Sequence, residues 1–458
     1  MANYIVKEHN GSDGADSRTK STIAVWVKRS RTGTEENIWS WGENNSSDSR
    51  LKFQSDDTLR FHSDGTGGGA TTHITTSQKF RDLNGWYHFV VALDGSNGTE
   101  AYRRRIWING VEFVHGVGSN TFSAAVMGHN STQDLFIGDN ARLQQNAGNA
   151  KPFIGYMSHF HYCDGYAYAA SDFGEFDATT GEWKAKTSPS VTYGTHGIFL
   201  KMENASNMDL DSSPNASSQL STTGTILPSK DCPGDIFCTL NPLDTSDAIT
   251  FNLSNANLTM GDVGGDDDHG IRGTLGASAG KYYWEVHAVN AGEVLAVAKS
   301  TERLTQSRTD STPAPGFWGC QSNGSGANVN SYDNGTFSNT NALQGYDSGD
   351  KVGIALDMDN GKMFISFNGV WKGRDNNTSD PAAGTNPWFT TIPTDGTIIM
   401  PFTEHRSSGN PASHFNFGNG FFGTTEIASE GTNASNIGRF EYDVPTGFTA
   451  LSTKGLNS

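Results

Sequence analysis

Glu175 and Asp177, one residue apart in Asp172-Phe-Gly-Glu-Phe-Asp177, have the spacing that could place two carboxylates on one strand face. Two-carboxylate glycoside hydrolysis needs such a pair about 5–10 Å apart. This pair follows the last strand-like pattern of its region, and the strand acids Glu112 and Glu285 stand singly, so no catalytic residue is expected. A Gly-x-Ser-x-Gly elbow and a Walker-type phosphate loop are both missing. His159, His161 and Cys163 alternate and would share a strand face, but a tetrahedral metal site needs a fourth ligand that the sequence does not supply. Asp266, Asp267 and Asp268, near Asp262, form an acidic loop whose oxygens would suit calcium, although the calcium-hand spacing is absent. Among aromatic residues, Tyr332, expected on a Gly/Asn/Ser-rich loop at 321–341, is the candidate for stacking on a sugar.

The bulk of the chain narrows the partners. With 32 basic and 49 acidic residues in 458, the net charge is −17, the wrong sign for a partner bound through phosphates. Arg103-Arg104-Arg105 leads straight into a strand and reads as a solvated strand start. No apolar run approaches the roughly 18–20 residues that span a bilayer, so membrane insertion is not expected. The first residues lack a basic region followed by an apolar core, which predicts folding in a cytoplasm. Cys163, Cys232, Cys238 and Cys320 form no Cys-x-x-Cys motif and are expected as thiols, although Cys232 and Cys238 could close a small loop.

The elements that must position any site are strands. In 350–373, Val352, Ile354 and Leu356 alternate before Asn360-Gly361, and Met363, Ile365 and Phe367 alternate before Asn368-Gly369. Asn-Gly tolerates positive φ at both turn centres, so two such turns between period-2 apolar runs predict antiparallel hairpins. With Gly280-Lys-Tyr-Tyr-Trp-Glu-Val286, Gly349-Asp350, Pro401-Phe402 and Phe415-Asn-Phe-Gly418, this pattern resembles a SPRY domain. Tyr442-Asp-Val-Pro-Thr-Gly-Phe448 and Leu451 resemble the tail that follows this domain in marine bacteriophage structural proteins.

The N-terminal half reads as a second sandwich. Ile23, Val25 and Val27 alternate, and Arg105-Ile-Trp-Ile-Asn-Gly-Val111 repeats the strand-plus-Asn-Gly-Val device of Ser366–Val370. Gly85-Trp-Tyr-His-Phe-Val-Val-Ala-Leu-Asp94 is almost continuously apolar, which predicts that both its faces are covered. In Phe153–Tyr162, Ile154, Tyr156, Phe160 and Tyr162 are expected on the inner face. The succession resembles a concanavalin A-like, laminin-G-type jelly roll. That family's catalytic strand would read Glu-x-Asp-x-Glu, and Thr179 occupies the third position after Glu175 and Asp177. Some laminin-G relatives bind calcium at the sandwich rim, which makes Asp139 a further candidate; no other cofactor is expected.

Together these patterns predict an all-β chain of two antiparallel β-sandwiches. The expected divisions are an N-terminal arm at 1–14, the laminin-G-like sandwich at 15–190, a polar connector at 191–234 and the SPRY-like sandwich at 235–458. Gly194-Thr-His-Gly-Ile-Phe-Leu-Lys201 and Cys238-Thr-Leu-Asn-Pro242 resemble the segments that join two such domains in phage virion proteins. The tandem implies a non-enzymatic virion surface protein of tail-fibre or tail-appendage type that binds a host-surface glycan or protein. It would be assembled in the host cytoplasm as a homo-oligomer beside other virion proteins. The alternative is a capsid decoration or head-fibre protein bound to the major capsid protein; a cellular adhesin ranks third.

Overall fold

The computed structural model describes residues 3–9, 19–44, 47–63, 72–115, 134–140, 151–216, 219–246, 251–261, 269–290, 292–302, 304, 315–322, 329–340, 345–405 and 412–458. The described residues are nearly all β outside turns and coil, with 47% strand and 3% helix, as the turn-rich alternating sequence requires. It divides into two units, residues 1–228 with 232–234, and residues 229–231 with 235–458.

Among the described residues, the first unit stacks a seven-stranded and a six-stranded sheet. The six-stranded sheet runs Ile198–Leu200, Gly155–Asp164, Lys20–Arg29, Tyr87–Asp94, Arg104–Ile108, Val111–Glu112. Alternation sends Ile23, Val25, Val27, Phe89 and Val91 inward against Trp39, Trp41, Leu51 and Phe53 of the seven-stranded sheet. Arg29 is buried beneath this core, where Glu36, Asp57 and the Phe80 carbonyl accept its N–H groups. The charge is matched inside the unit, as a buried guanidinium requires.

Two expected boundaries move. Tyr4–Lys7, within the expected arm, lies in the seven-stranded sheet between Leu135–Ile137 and Leu220–Thr223. Leu220–Thr223 and Ile198–Leu200 both come from the expected connector, which therefore belongs in large part to the sandwich. Short apolar stretches such as Ile5-Val6 and Ile198-Phe-Leu200 are enough to seat these edges.

The inner-face reading of Phe153–Tyr162 is half corrected. A bulge between Ser158 and His161, with His159 at φ 49°, inserts an extra residue opposite Lys20–Arg29. Phe160 and Tyr162 face the core as expected, but before the bulge the parity reverses. Met157 packs inward, Tyr156 lies against Trp86, and Ile154 is exposed.

The second unit stacks a seven-stranded and an eight-stranded sheet among its described residues. Lys281–Ala288, Lys351–Asp357, Lys362–Phe367 and Val370–Lys372 are consecutive neighbours in the larger sheet. Val352, Ile354, Leu356, Met363, Ile365 and Phe367 all enter the core with Trp284, Trp318 and Phe415. None of the four cysteines is disulfide-bonded.

Each unit also carries a third layer. In the first, 166–197 crosses the outer face of the six-stranded sheet and packs Ala170, Phe173, Trp183 and Tyr193 on Ala24, Val90, Trp107 and Cys163. In the second, Ile437, Phe440, Val444 and Phe448 cover Tyr283, Ala355 and Phe364 on the outer face of the eight-stranded sheet. The almost continuous apolar run of 85–94 has this cause: both faces of Tyr87–Asp94 are covered, and six of its eight residues are buried.

Candidate functional site

The two Asn-Gly-Val hairpins mark where each third layer is fastened. In the first unit Asn109 and Gly110 have φ 47° and 81°, the double left-handed turn that joins twisted strands without splaying them. The Asn109 side-chain oxygen accepts from the His88 amide at 2.7 Å, and the Asn109 amide donates to the His88 carbonyl at 2.9 Å. Trp183 lies flat against the turn: a Cβ on Gly110 would stand 2.3 Å from its ring, and one on Gly174 would stand 2.4 Å from it. Both glycines are there because the indole leaves no room for a side chain.

Trp183 Nε1 donates to His88 Nδ1 at 3.0 Å. The His88 ring stacks on Trp26 at 4.7 Å, and the Trp183 ring, bonded at its edge, has its centroid 6.0 Å away. Burial, with a smaller contribution from His159, holds its pKa down at about 3. On the same outer face His161 stacks on Phe199 at 4.0 Å, and its Nδ1 lies 2.9 Å from the Tyr193 hydroxyl. Burial also keeps His161 well below the ordinary imidazole range, with His159 and His88 adding to the effect. These imidazoles are neutral bases in an aromatic layer. Among the described residues no group of three His, Cys, Asp or Glu side chains is placed to hold a metal.

In the second unit Asn368 and Gly369 repeat the turn at φ 46° and 79°. Asn368 accepts from the Lys351 amide at 2.9 Å and donates to the Lys351 carbonyl at 2.7 Å. A Cβ on Gly369 would stand 2.4 Å from the Tyr442 ring. Here a carboxylate fastens the layer. Glu285, fully buried, accepts from the Glu441 and Tyr442 amides at 3.0 and 2.8 Å, from the Tyr283 hydroxyl at 3.0 Å and from Asn416 Nδ2 at 3.1 Å. Burial raises its pKa against the pull of these four donors.

The residues singled out in the sequence are dispersed. Tyr332 lies on the strand Val329–Asp333 and not in a loop; it is buried between Phe317 and Phe337, with its hydroxyl donating to Gln321 at 2.8 Å. Asp139 is buried, its carbonyl accepting from Ser40 and its carboxylate from the Asn140 amide. Asp262, Asp266, Asp267 and Asp268 lie outside the described residues. Glu175 and Asp177 sit on the exposed hairpin of Gly174–Phe176 with Trp183–Ala185, where Lys184 reaches both at 3.5 and 3.2 Å. The Thr180 and Thr179 amides and Lys184 hold Asp177 at about 2, far too acidic to donate a proton to a leaving group near neutrality. In the arginine triplet only Arg104 is buried, and Arg105 is paired with Glu112.

His88, Trp183, Glu285 and Tyr442 were not singled out for these roles, since each depends on a segment remote in sequence. For His88 and Trp183 the one signal was the two-sided cover implied by 85–94.

Residues 8–166 match the concanavalin A-like lectin/glucanases superfamily, and residues 281–378 match the SPRY domain. No curated protein matches the chain. Among solved structures the chain is similar to the SPRY domain of human HERC1, at 15% identity over 38% of this chain and 96% of that one, with a TM-score of 0.28. It is similar to the TRIM65 PSpry domain at 19% identity, over 39% and 89% of the two chains, with a TM-score of 0.28. The native heptameric SAP-like pentraxin from Limulus polyphemus is similar at 15% identity, over 41% and 87%, again at 0.28. The chain thus contains a concanavalin A-like domain and a SPRY domain, in that order, and both point to a binding role.

Proposed function

We propose that the chain is a non-enzymatic binding protein of a bacteriophage particle, presenting the loops of two rigid sandwiches to a host-surface glycan or protein. The observation that carries this reading is the tandem itself, a concanavalin A-like domain followed by a SPRY domain, which resembles the arrangement in phage virion proteins. Neither fold commits its owner to chemistry, so function must be argued from side chains. The carboxylates spaced for glycan cleavage, Glu175 and Asp177, are occupied by Lys184 and by turn amides. What is left for function is recognition by loops on a fixed scaffold.

Copies of a weakly binding module fixed on a particle gain avidity without any new contact. The isolated chain should therefore bind host cells poorly, and an oligomeric or particle-displayed form should bind them well. A side-by-side pull-down with host cells and with undecorated capsids tests this. Retention on cells by the displayed form supports the proposal. Tight binding to capsids with none to cells in either format would replace it with the capsid-decoration role.

A further inference from the structure

We propose that His88 is an acid-sensitive latch: its neutral ring fastens Trp183, and with it the 173–186 hairpin, over the six-stranded sheet of the first unit, and protonation of the ring releases that hairpin. This inference is independent of the partner that the chain binds.

The indole N–H of Trp183 can only donate, so His88 Nδ1, 3.0 Å away, must be an unprotonated acceptor. The ring proton then sits on Nε2, which is buried without a hydrogen-bond partner. A second proton has to go to Nδ1, where it would face the indole N–H. One hydrogen bond is lost, two donors oppose each other, and a charge appears in an apolar layer. Protonation and closure are therefore mutually exclusive at this position.

The groups around the ring offer no relief. From Lys20–Arg29, Trp26 stacks on it. From Gly155–Asp164 it meets His159 and His161, both bases whose protonation would add repulsion. Arg104–Ile108 contributes Trp107 to the same layer, with Arg105 turned to Glu112. The strap contributes Trp183 and Tyr193, while Lys184 beside Trp183 is held by Glu175 and Asp177. Ile198–Leu200 contributes Phe199, and beyond it Glu203 and Lys201 act on His159 with opposite signs. His161 is a weaker lock, because its partner hydroxyl on Tyr193 can turn to accept from a protonated ring.

The strap is tethered so that it can open without the sheet unfolding. The Asp164 amide donates to the Tyr193 carbonyl at 2.8 Å, and the Lys186 amide donates to the Phe173 carbonyl at 2.9 Å, which closes the hairpin on itself. Between those ties, Trp183 is seated on Gly110, Gly174 and His88. Release would bare Trp107, which packs in one apolar layer with Phe173 and Trp183 of the hairpin.

Linkage fixes the direction. A ring that binds its proton near the ordinary 6.5 when open and far lower when closed favours closure fully above 6.5 and loses that preference as pH falls. The opening equilibrium should rise about tenfold per pH unit below 6.5, hence about a hundredfold by pH 4.5. The test is amide hydrogen exchange of 173–186 in the full chain between about pH 7.5 and 4.5, corrected for the intrinsic rate. The wild type should lose roughly a hundredfold of protection there, while 87–94 stays protected. His88→Gln keeps an oxygen to accept the indole N–H and cannot titrate, so its strap should stay closed across the range. Unchanged protection in the wild type, or equal loosening in His88→Gln, overturns the latch. Should the variant not fold, ring-carbon hydrogen exchange at His88 in the wild type decides: a midpoint well below 6.5 supports the latch, and one near 6.5 with the strap closed overturns it.

Discussion

The hairpin at Asn109-Gly110-Val111 and the one at Asn368-Gly369-Val370 share a turn and differ in what holds a strap against it. Both have the same left-handed pair, the same Asn side chain bridging to the amide of a neighbouring strand, and a glycine flattened under an aromatic ring. In the first unit the ring, Trp183, is tied by its own N–H to a buried imidazole. In the second, Tyr442 is tied by backbone amides to a buried carboxylate, Glu285. The difference teaches that antiparallel sandwiches supply the turn cheaply, whereas the choice of buried polar group sets how the closed layer responds to substitution and to acid.

The largest effect should come from Glu285→Ala. Four donors would lose their acceptor at once in a buried site, which should cost about 3–5 kcal/mol in denaturant unfolding of the second unit. A loss under about 1 kcal/mol would mean that the carboxylate is not the lock. Trp183→Ala removes a ring packed on two glycines and hydrogen-bonded to His88, and should cost about 2–3 kcal/mol, read from the first unit alone. Acid should separate the two straps. Glu285 has a raised pKa, so its contribution is fully present below its ordinary value of 4.5 and is lost as pH rises through the raised one. Acidifying from about pH 7.5 to 5.5 therefore cannot weaken the strap through Glu285, and half-buried His287 with its neighbour His414, both lowered by burial, should produce a shallow loss there. Over the same range the His88 strap should loosen about tenfold, and exchange of 431–447 as fast as that of 173–186 would erase the contrast. The smallest effect is expected for Glu175→Gln with Asp177→Asn, which should leave the melting curve unchanged. No reducing ends should appear from laminarin, agar or host polysaccharide before or after the change; cleavage that vanishes in the double variant would restore an enzymatic reading.

Much of this was legible in the residues. The alternation of Val352, Ile354 and Leu356, then Met363, Ile365 and Phe367, placed six side chains in the core where the structure has them. The Asn-Gly pairs located both hairpins, and the almost continuous apolar run of 85–94 announced a cover on its second face. What covers it was not legible, because 166–197 and 431–447 run mostly as coil and show no period. They are held by a few long-range contacts, and a contact such as His88 to Trp183 leaves no local trace. The bulge at His159 escaped for a related reason: a left-handed residue is usually signalled by Gly or Asn, and here it is His. Tyr332 was assigned to a loop by its Gly/Asn/Ser surroundings, while the pairing of Val329–Asp333 with strands on both sides made it a buried strand residue.

The claim that turn, ring and strap form one closed device in each unit is tested most directly by placing a side chain under the ring. Gly110→Val and Gly369→Val each add a Cβ within 2.4 Å of an aromatic carbon at a left-handed position. In each variant, amide exchange should accelerate both in the hairpin and in the remote strap above it, at 173–186 or at 431–447, with the other unit unaffected. A variant whose hairpin loosens while its strap keeps full protection would contradict the account.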